Sequence, residues 1–579
     1  MTQPTEDRPP VWIRLLSLTS CDPLRAVRIA QKAFDRTTDA SIEKQTLARY
    51  VLGRALLRYE ELGAALPHLE LAAGQLADQN KTLLAFQARR DALFAAMLLG
   101  KSDEQVWQAL VESCSAAGQP LEQARTQMYL CAHYNRGGRP RAALELAASC
   151  APILETQGTQ EDRGRMLRIK AAAHGDCGEF GKALLFADEA VSVFRRLGWP
   201  VEIALSLTER AWHSQTIGEY HAALADLLEA HRTFDRIGLP LRIAICELHL
   251  GLLSSRLGQY EIALALTQIA RQRFAELDQD PLFALCDLNT GIIFHYAGLN
   301  KQALRAYQHA EHVYRALGNQ RMLLVSQRNQ ALALRQLDRY HDALKLLGDL
   351  QQEAEQLEDQ DEQAELALAS GEVLHDLGRY PEALAQLANA QHLFATTSKP
   401  AAVALCLLEQ GWILLKQGAV EQAHEHFVAA LPALRYRPMH RWRALHGLAR
   451  CSAERSEQCV ALDYYRETSG IIALLRTQLL SEHASSRIFA QAEEAYTQAL
   501  NLALKLGDTD TVLELAETQR SLSLGKLIQR NSSGFTSRAL ALDRKLTLSP
   551  QQQYADTLDL LVEELLRQRH LDAMIDSSQ

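Results

Sequence analysis

The tetrad Ser523-Leu524-Gly525-Lys526 has the S-x-x-K spacing of an acyl-transfer serine with a lysine beside it. That chemistry also requires partner motifs and an enclosing fold, and the sequence shows neither. Gly525-Lys526 ends like a phosphate loop. However, Arg520 stands where such a loop needs a glycine for the backbone to approach the phosphate. His309 and His312 share one helical face, and His424 and His426 lie close in sequence. Neither pair has the third protein ligand of a zinc site. G-x-G-x-x-G, H-E-x-x-H and G-x-S-x-G are all missing from the sequence. The expectation is therefore a protein that is no enzyme and takes no metal or cofactor.

Binding chemistry is better represented, and it emerges from the elements that carry it. From Leu377-Gly378-Arg379-Tyr380 and Ala383-Leu384, stepping back by about 40 residues at a time meets Asp338, Gly298, Gly258, Gly218, Gly178 and Gly138. Each is followed by Ala-Leu at the same offset, from Ala343-Leu344 back to Ala143-Leu144, and Gly418 with Ala423 continues the series forward. A small residue precedes each turn: Ala171, Ala211, Gly251, Gly291, Ala331, Gly371 and Gly411. The turn glycine ends a first helix in the left-handed conformation. Pro140 and Pro381 open second helices, where proline forfeits no needed N–H. Phe194, Phe234, Phe274, Tyr314 and Phe394 follow on the apolar face of the second helix. An earlier unit stands at Gly53, Ala65, Leu69 and Ala72, and the register shifts near Gly100. Asp22 is the expected N-cap of a leading helix.

Gly371, Ala383, Leu387 and Ala390 occupy the small, small, large, small positions of the tetratricopeptide repeat, and the chain over 41–437 resembles that superfamily with repeats of 40 residues. The resemblance implies an all-α, right-handed superhelical solenoid of antiparallel hairpins, about ten in number, with a concave groove lined by first helices. Residues 1–40 read as a tail and leading helix, 438–530 as a further helical region, and 531–579 as a flexible break at Asn531-Ser532-Ser533-Gly534 with terminal helices. Ser486-Arg487-Ile488-Phe489, Tyr496 and the box Ala516-Glu517 to Arg520-Ser521 with Leu524 resemble the segment that precedes the caspase-like CHAT domain in TPR–CHAT proteins. About fifty residues follow Arg530, too few for the protease domain with its His and Cys, so the expectation is that this domain has been lost, follows in a longer reading frame, or is supplied in trans.

The groove positions that this resemblance implies are polar and varied. Four residues after the small position come Gln215, Ser255, His295, Arg335 and His375; the next column holds Arg256, Tyr296 and Asp376; two residues before it stand Glu209, His249, Asn289, Asn329 and Glu409. Packing constraint makes a column uniform, so variation points to solvent or ligand. Asn289 and Asn329 are suited to hydrogen-bonding a peptide backbone, and Arg256, Arg328 and Arg335 to pairing with carboxylates. The candidate partner-binding set is thus His249, Arg256, Asn289, His295, Tyr296, Arg328, Asn329, Arg335, His375 and Asp376. Glu353, Glu355, Glu358, Asp359, Asp361, Glu362 and Glu365 form an acidic corner that reads as a solvated rim or a dock for a basic partner.

Composition narrows the partner. The 61 Lys and Arg against 70 Asp and Glu give a net charge of −9, the wrong sign for tracking phosphates. No apolar run approaches the roughly 20 residues that cross a bilayer, and Met1 to Pro10 is too polar for a signal peptide. The ten cysteines are scattered without a C-x-x-C, and Cys246, Cys286 and Cys406 share a position with Ser206 and Ser326, so they read as buried free thiols of a reducing, cytoplasmic compartment. The expectation is a protein-interaction scaffold that takes a peptide or helix in the groove, with neither nucleic acid nor membrane as partner. The alternatives are the sensor arm of a CHAT-type protease system, with that protease as a candidate partner, and the ligand-sensing arm of a transcription regulator. Oligomeric state is left open.

Overall fold

In a computed structural model, residues 18–516 are described, apart from 20, 38, 257–258, 358, 398, 436 and 479–485. Among them every regular element is a helix. After the leading helix Pro23–Asp35 the chain runs through Ile42–Arg58 and Leu62–Asp78, Thr82–Leu98 and Glu104–Ala116, Pro120–Arg136 and Pro140–Gln157, and Gln160–Asp176 and Phe180–Leu197. It continues through Pro200–Thr216 and Tyr220–Ile237, Pro240–Arg256 and Tyr260–Glu276, Asp280–Tyr296 and Asn300–Ala316, and Gln320–Gln336 and Tyr340–Gln356. The last described helices are Gln360–Asp376 and Tyr380–Thr396, Pro400–Lys416 and Val420–Ala430, Pro438–Glu454 and Gln458–Gln478, and then Ser486–Leu506. Two compact units divide the chain: unit 1 is 1–214 with 222–246, and unit 2 is 215–221 with 247–579.

The hairpins follow from local chemistry. First helices open at Ile42, Thr82, Pro120, Gln160 and Pro200, and the interval is 40 except for the step from Thr82 to Pro120, which is two residues shorter. The cause is the second helix Glu104–Ala116, trimmed to 13 residues where its neighbour Leu62–Asp78 has 17. This is the register shift expected near Gly100. Asp22 caps the leading helix as expected, accepting from Arg25 N–H at 3.0 Å. At the turns, Gly298 and Gly378 both take φ +74°, and Asp338 takes φ +58° in the same role. Asp tolerates this region better than most residues because its short side chain bonds locally; here Asp338 Oδ1 accepts from the Tyr340 hydroxyl at 2.7 Å.

Small residues in the first helices let the second helices press in. A Cβ added to Gly291 would lie 2.4 Å from the Tyr307 ring, and one on Gly411 would lie 2.7 Å from the Phe427 ring. The aromatic column is buried throughout, with Phe194, Phe274 and Phe394 fully enclosed. Cys246, Cys286 and Cys406 are likewise enclosed, as are the serines Ser206 and Ser326 at the same position. Hairpin packing continues past 437: Pro438–Glu454 packs against both Val420–Ala430 and Gln458–Gln478. Gly258, Glu358, and the stretch from Glu517 that holds the remainder of the CHAT-like box, Ser523-Leu524-Gly525-Lys526, Asn531–Gly534 and the terminal helices all lie outside the described residues.

Candidate binding surfaces

Unit 2 carries the ten positions singled out from the sequence, and the structure sorts them by what already holds them. Arg328 pairs with Glu362 at 3.0 Å and Glu365 at 2.7 Å, one hairpin further on. Arg335 pairs with Asp376 at 2.6 Å and also with Glu372. His375 lies 3.8 Å from Glu409, which Arg443 engages at 2.7 Å. Burial works against ionisation of Glu409, yet Arg443, His375 and Arg335 hold its pKa well below the ordinary carboxylate range. These side chains form a ladder between successive first helices. Arg328, Arg335, His375 and Asp376 therefore meet partners within the chain.

Three more positions are partly or wholly enclosed, Asn289 buried and His249 and His295 half-buried. Asn289 is 7 % exposed. Burial pushes the His249 imidazole down to about 4. Burial, assisted by Arg335, lowers that of His295, and the Asn300 side chain opposes the shift.

Arg256, Tyr296 and Asn329 remain. Arg256 makes one long contact, 3.4 Å to the Gln215 carbonyl. Tyr296 is 49 % exposed. Neither ion pair nor side-chain hydrogen bond engages Asn329 among the described residues. The sequence reading missed Arg437, at the entry to Pro438–Glu454. Burial lowers its pKa, Arg256 lowers it further, and Glu365 and Tyr296 oppose this only in part. Two guanidiniums thus stand within electrostatic reach of one another, and Arg437 has no ion-pair partner among the described residues. Arg437 falls outside the columns because it precedes its helix, so periodicity could not have flagged it.

The acidic corner is largely answered from within: Arg321 lies 3.4 Å from Asp359, Lys399 lies 3.0 Å from Asp361, and Arg328 takes Glu362 and Glu365. His309 is used locally, 2.8 Å from Asp287. No group of three or more metal-ligating side chains occurs among the described residues.

In unit 1 the same three repeat columns, continued towards the N-terminus, line a cavity of about 310 Å³. Leu57, Met97 and Asn135 come from one column, Arg58, Leu98 and Arg136 from the next, and Asp91, Tyr129, Ile169 and Glu209 from the third. Unit 1 also closes on itself. Arg58, at the end of the first hairpin's inner helix, donates to Glu202 at 3.0 Å and to Glu161 at 3.3 Å. Arg242 donates to Glu60 at 2.6 Å. Glu202 is the hub: only 3 % exposed, it also accepts from Arg165 at 3.1 Å and Arg168 at 2.8 Å. Arg168 grips Glu209 through two nitrogens, at 3.0 and 2.6 Å. Burial raises the Glu161 pKa against the pull of Arg58 and Arg54. Burial likewise raises the Tyr129 phenol to about 12.

The described residues thus form a tetratricopeptide-like stack of helical hairpins. No family model and no curated protein matches the chain. Among solved structures it is similar to a Rap protein complexed with Competence and Sporulation Factor, at 14 % identity over 67 % of this chain and 99 % of that one, with a TM-score of 0.37. It is also similar to the apo form of the quorum sensor NprR from B. thuringiensis, at 16 % identity over 60 % and 98 %, TM-score 0.42. Yeast Tom70 matches at 12 % identity over 80 % and 97 %, TM-score 0.43. At such identity and superposition, the fold assignment rests on the hairpins described above. No described helix is long and apolar enough to cross a membrane.

Proposed function

We propose that this chain is a protein-interaction scaffold that takes a peptide segment of its partner on the inner face of unit 2. The observation that carries this reading is that Arg256 and Arg437 enter no ion pair among the described residues, and that the half-exposed Tyr296 lies within electrostatic reach of Arg437, while Arg328 and Arg335 are already paired with the chain's own acids. Partly buried guanidiniums that no ion pair engages among the described residues suit an acidic side chain or a terminal carboxylate, which they would grip through paired N–H donors. Tyr296 offers an aromatic surface to an apolar neighbour, and Asn329 has donors and an acceptor for a peptide backbone. Selection from a random peptide display library, followed by titration of the winning peptides, tests the reading. Selected peptides should share an acidic residue or require a free C-terminus, and Arg256→Ala with Arg437→Ala should weaken them at least tenfold while circular dichroism stays unchanged. Equal affinity in the folded double variant would move the site elsewhere.

A further inference from the structure

Unit 1 brings the end of one first helix back beside the start of another, five first helices later: Ile42–Arg58 returns to the opening of Pro240–Arg256. That seam is complete. Arg242 donates to Glu60 at 2.6 Å across 182 residues, a Cβ on Gly238 would lie 3.7 Å from Leu24, and Tyr59 packs against the cluster that holds Leu239 and Ile243. One first helix earlier, Arg58 reaches the buried Glu202, whose carboxylate also accepts from Arg165 and Arg168. A carboxylate has about four lone-pair sites, so one acid can hold several guanidiniums. In unit 2 the same step of five leads from Pro240–Arg256 to Pro438–Glu454. Arg256 stands five residues after Gly251, as Arg58 does after Gly53, and Arg437 stands directly before Pro438, as Leu239 does before Pro240. Leu239 is buried and apolar; Arg437 is a half-buried cation. Arg256 and Tyr296 act electrostatically on Arg437, and the same two act on Tyr220, which puts the four side chains in one neighbourhood. Glu365 also acts on Arg437, but Arg328 already engages it at 2.7 Å. Like charges held partly out of water repel, and a carboxylate between them replaces that repulsion with charge-assisted hydrogen bonds.

We infer that the seam of unit 2 is an anion clasp: one carboxylate of the bound peptide bridges Arg256 and Arg437, does there what Glu60 and Glu202 do in unit 1, and so closes the seam as it binds. The inference rests on the peptide reading above and deepens it, because it commits a single acid of the guest to both arginines and makes occupancy and closure one event. Unit 1 carries its acids in its own chain and is closed without a guest. Unit 2 has the cations at the corresponding step and takes the acid from its partner. A guest that binds the closed seam more tightly than the open one shifts unit 2 towards closure by that difference. Tyr220 and Tyr296 bring phenol donors to the same neighbourhood.

Charge exchange in the full chain tests the clasp without a guest. Arg437→Glu and Arg256→Glu each build an acid into the seam, and at least one of them should melt about 2 °C above its neutral counterpart, Arg437→Gln or Arg256→Gln, the shift expected of one new ion pair. The double variant Arg256→Glu with Arg437→Glu restores like charges and should lose that gain. N-acetylglycine, a small mimic of a peptide's terminal carboxylate, tests the clasp with a guest. At millimolar concentration and matched ionic strength it should raise the melting temperature of the parent, as a ligand of the native state does, and leave Arg437→Glu unmoved. N-acetylglycinamide, which lacks the charge, should shift neither. Hydrogen exchange should slow severalfold over 250–256 and 437–445 both in the parent with N-acetylglycine and in the stabilised charge-exchange variant. The clasp is overturned if neither acid variant melts above its glutamine counterpart, if the amide protects as well as the acid, or if exchange in both segments stays unchanged. Loss of peptide affinity in Arg256→Ala with Arg437→Ala, without any gain from charge exchange, would leave the peptide face standing and remove the clasp. A gain from charge exchange, with peptide affinity unchanged in that double alanine variant, would leave the clasp and remove the peptide reading.

Discussion

The inner faces of the two units are built from the same repeat positions and put them to different use. In unit 1 the columns that supply Leu57, Asp91, Tyr129 and Glu209 line a cavity, and three arginines beside it converge on the buried carboxylate of Glu202. In unit 2, ion pairs run as a ladder from the first helix Gln320–Gln336 to its neighbour Gln360–Asp376, Arg328 to Glu362 and Arg335 to Asp376. The difference shows that column position determines which way a side chain points, while the identity of its opposite number determines whether it is free to bind. A ladder consumes its arginines pairwise, so what remains for a partner is the exception, Arg256 with Arg437. A hub gathers several arginines on one acid and leaves surplus donors such as Arg165 Nε–H.

The strongest way to break this comparison is to remove the hub. Glu202→Ala strands Arg58, Arg165 and Arg168 without their shared acid, and breaking a buried charge pair in this way costs about 3–5 kcal/mol. Urea unfolding followed by hydrogen exchange should show the loss concentrated in unit 1. A uniform loss across both units, or a change below about 1 kcal/mol, would remove the hub from the account.

Steric grammar should be shared by both units but unequal in force. Gly291→Ala sets a methyl against the stiff Tyr307 ring, where the added Cβ stands at 2.4 Å, and overpacking of this kind costs about 1–3 kcal/mol. Gly53→Ala meets Leu69 Cγ at 2.9 Å, a longer contact than that at Gly291, and should cost less than Gly291→Ala, towards the low end of about 1–3 kcal/mol. Denaturant midpoints of the two variants, measured side by side, decide the ordering.

Acid should act on unit 2 through His249 and His440. Burial pushes both imidazoles down to about 4, with Arg443 and Arg437 assisting at His440, from an ordinary 6.5. The folded chain therefore binds these protons later than the unfolded chain, and stability falls as pH drops from about 6.5 towards about 4. Urea midpoints across that range should decline in the parent, and the decline should flatten in His249→Gln with His440→Gln. An unchanged slope would show that neither imidazole is held neutral by the fold.

The smallest effect is expected at a turn. Asp338→Gly relieves the left-handed backbone at φ +58° but forfeits the Tyr340 hydrogen bond, so the two contributions oppose and the net change should stay within about 1 kcal/mol. A loss beyond 2 kcal/mol would show that the aspartate, rather than the turn, is what the hairpin needs there.

Much of this molecule is legible in its residues. The 40-residue period, the small residue before each turn, the left-handed turn and the enclosed aromatic at Phe194, Phe274 or Phe394 are local demands. Each is met within one hairpin, so each leaves a repeating mark, and even the shift near Gly100 is marked by its own shortened helix. The repeating columns of polar first-helix positions were legible for the same reason. Which members of a column are free was not. Arg328 and Arg335 look alike as sequence and are paired in space; Arg437 stands outside the period; Arg58 meets Glu202 from 144 residues away. Periodicity reports what a residue owes its own hairpin. Charge pairing and enclosure depend on which hairpins come back into reach, and that is decided by how small rotations add up over many of them, a quantity that only the assembled tertiary structure contains.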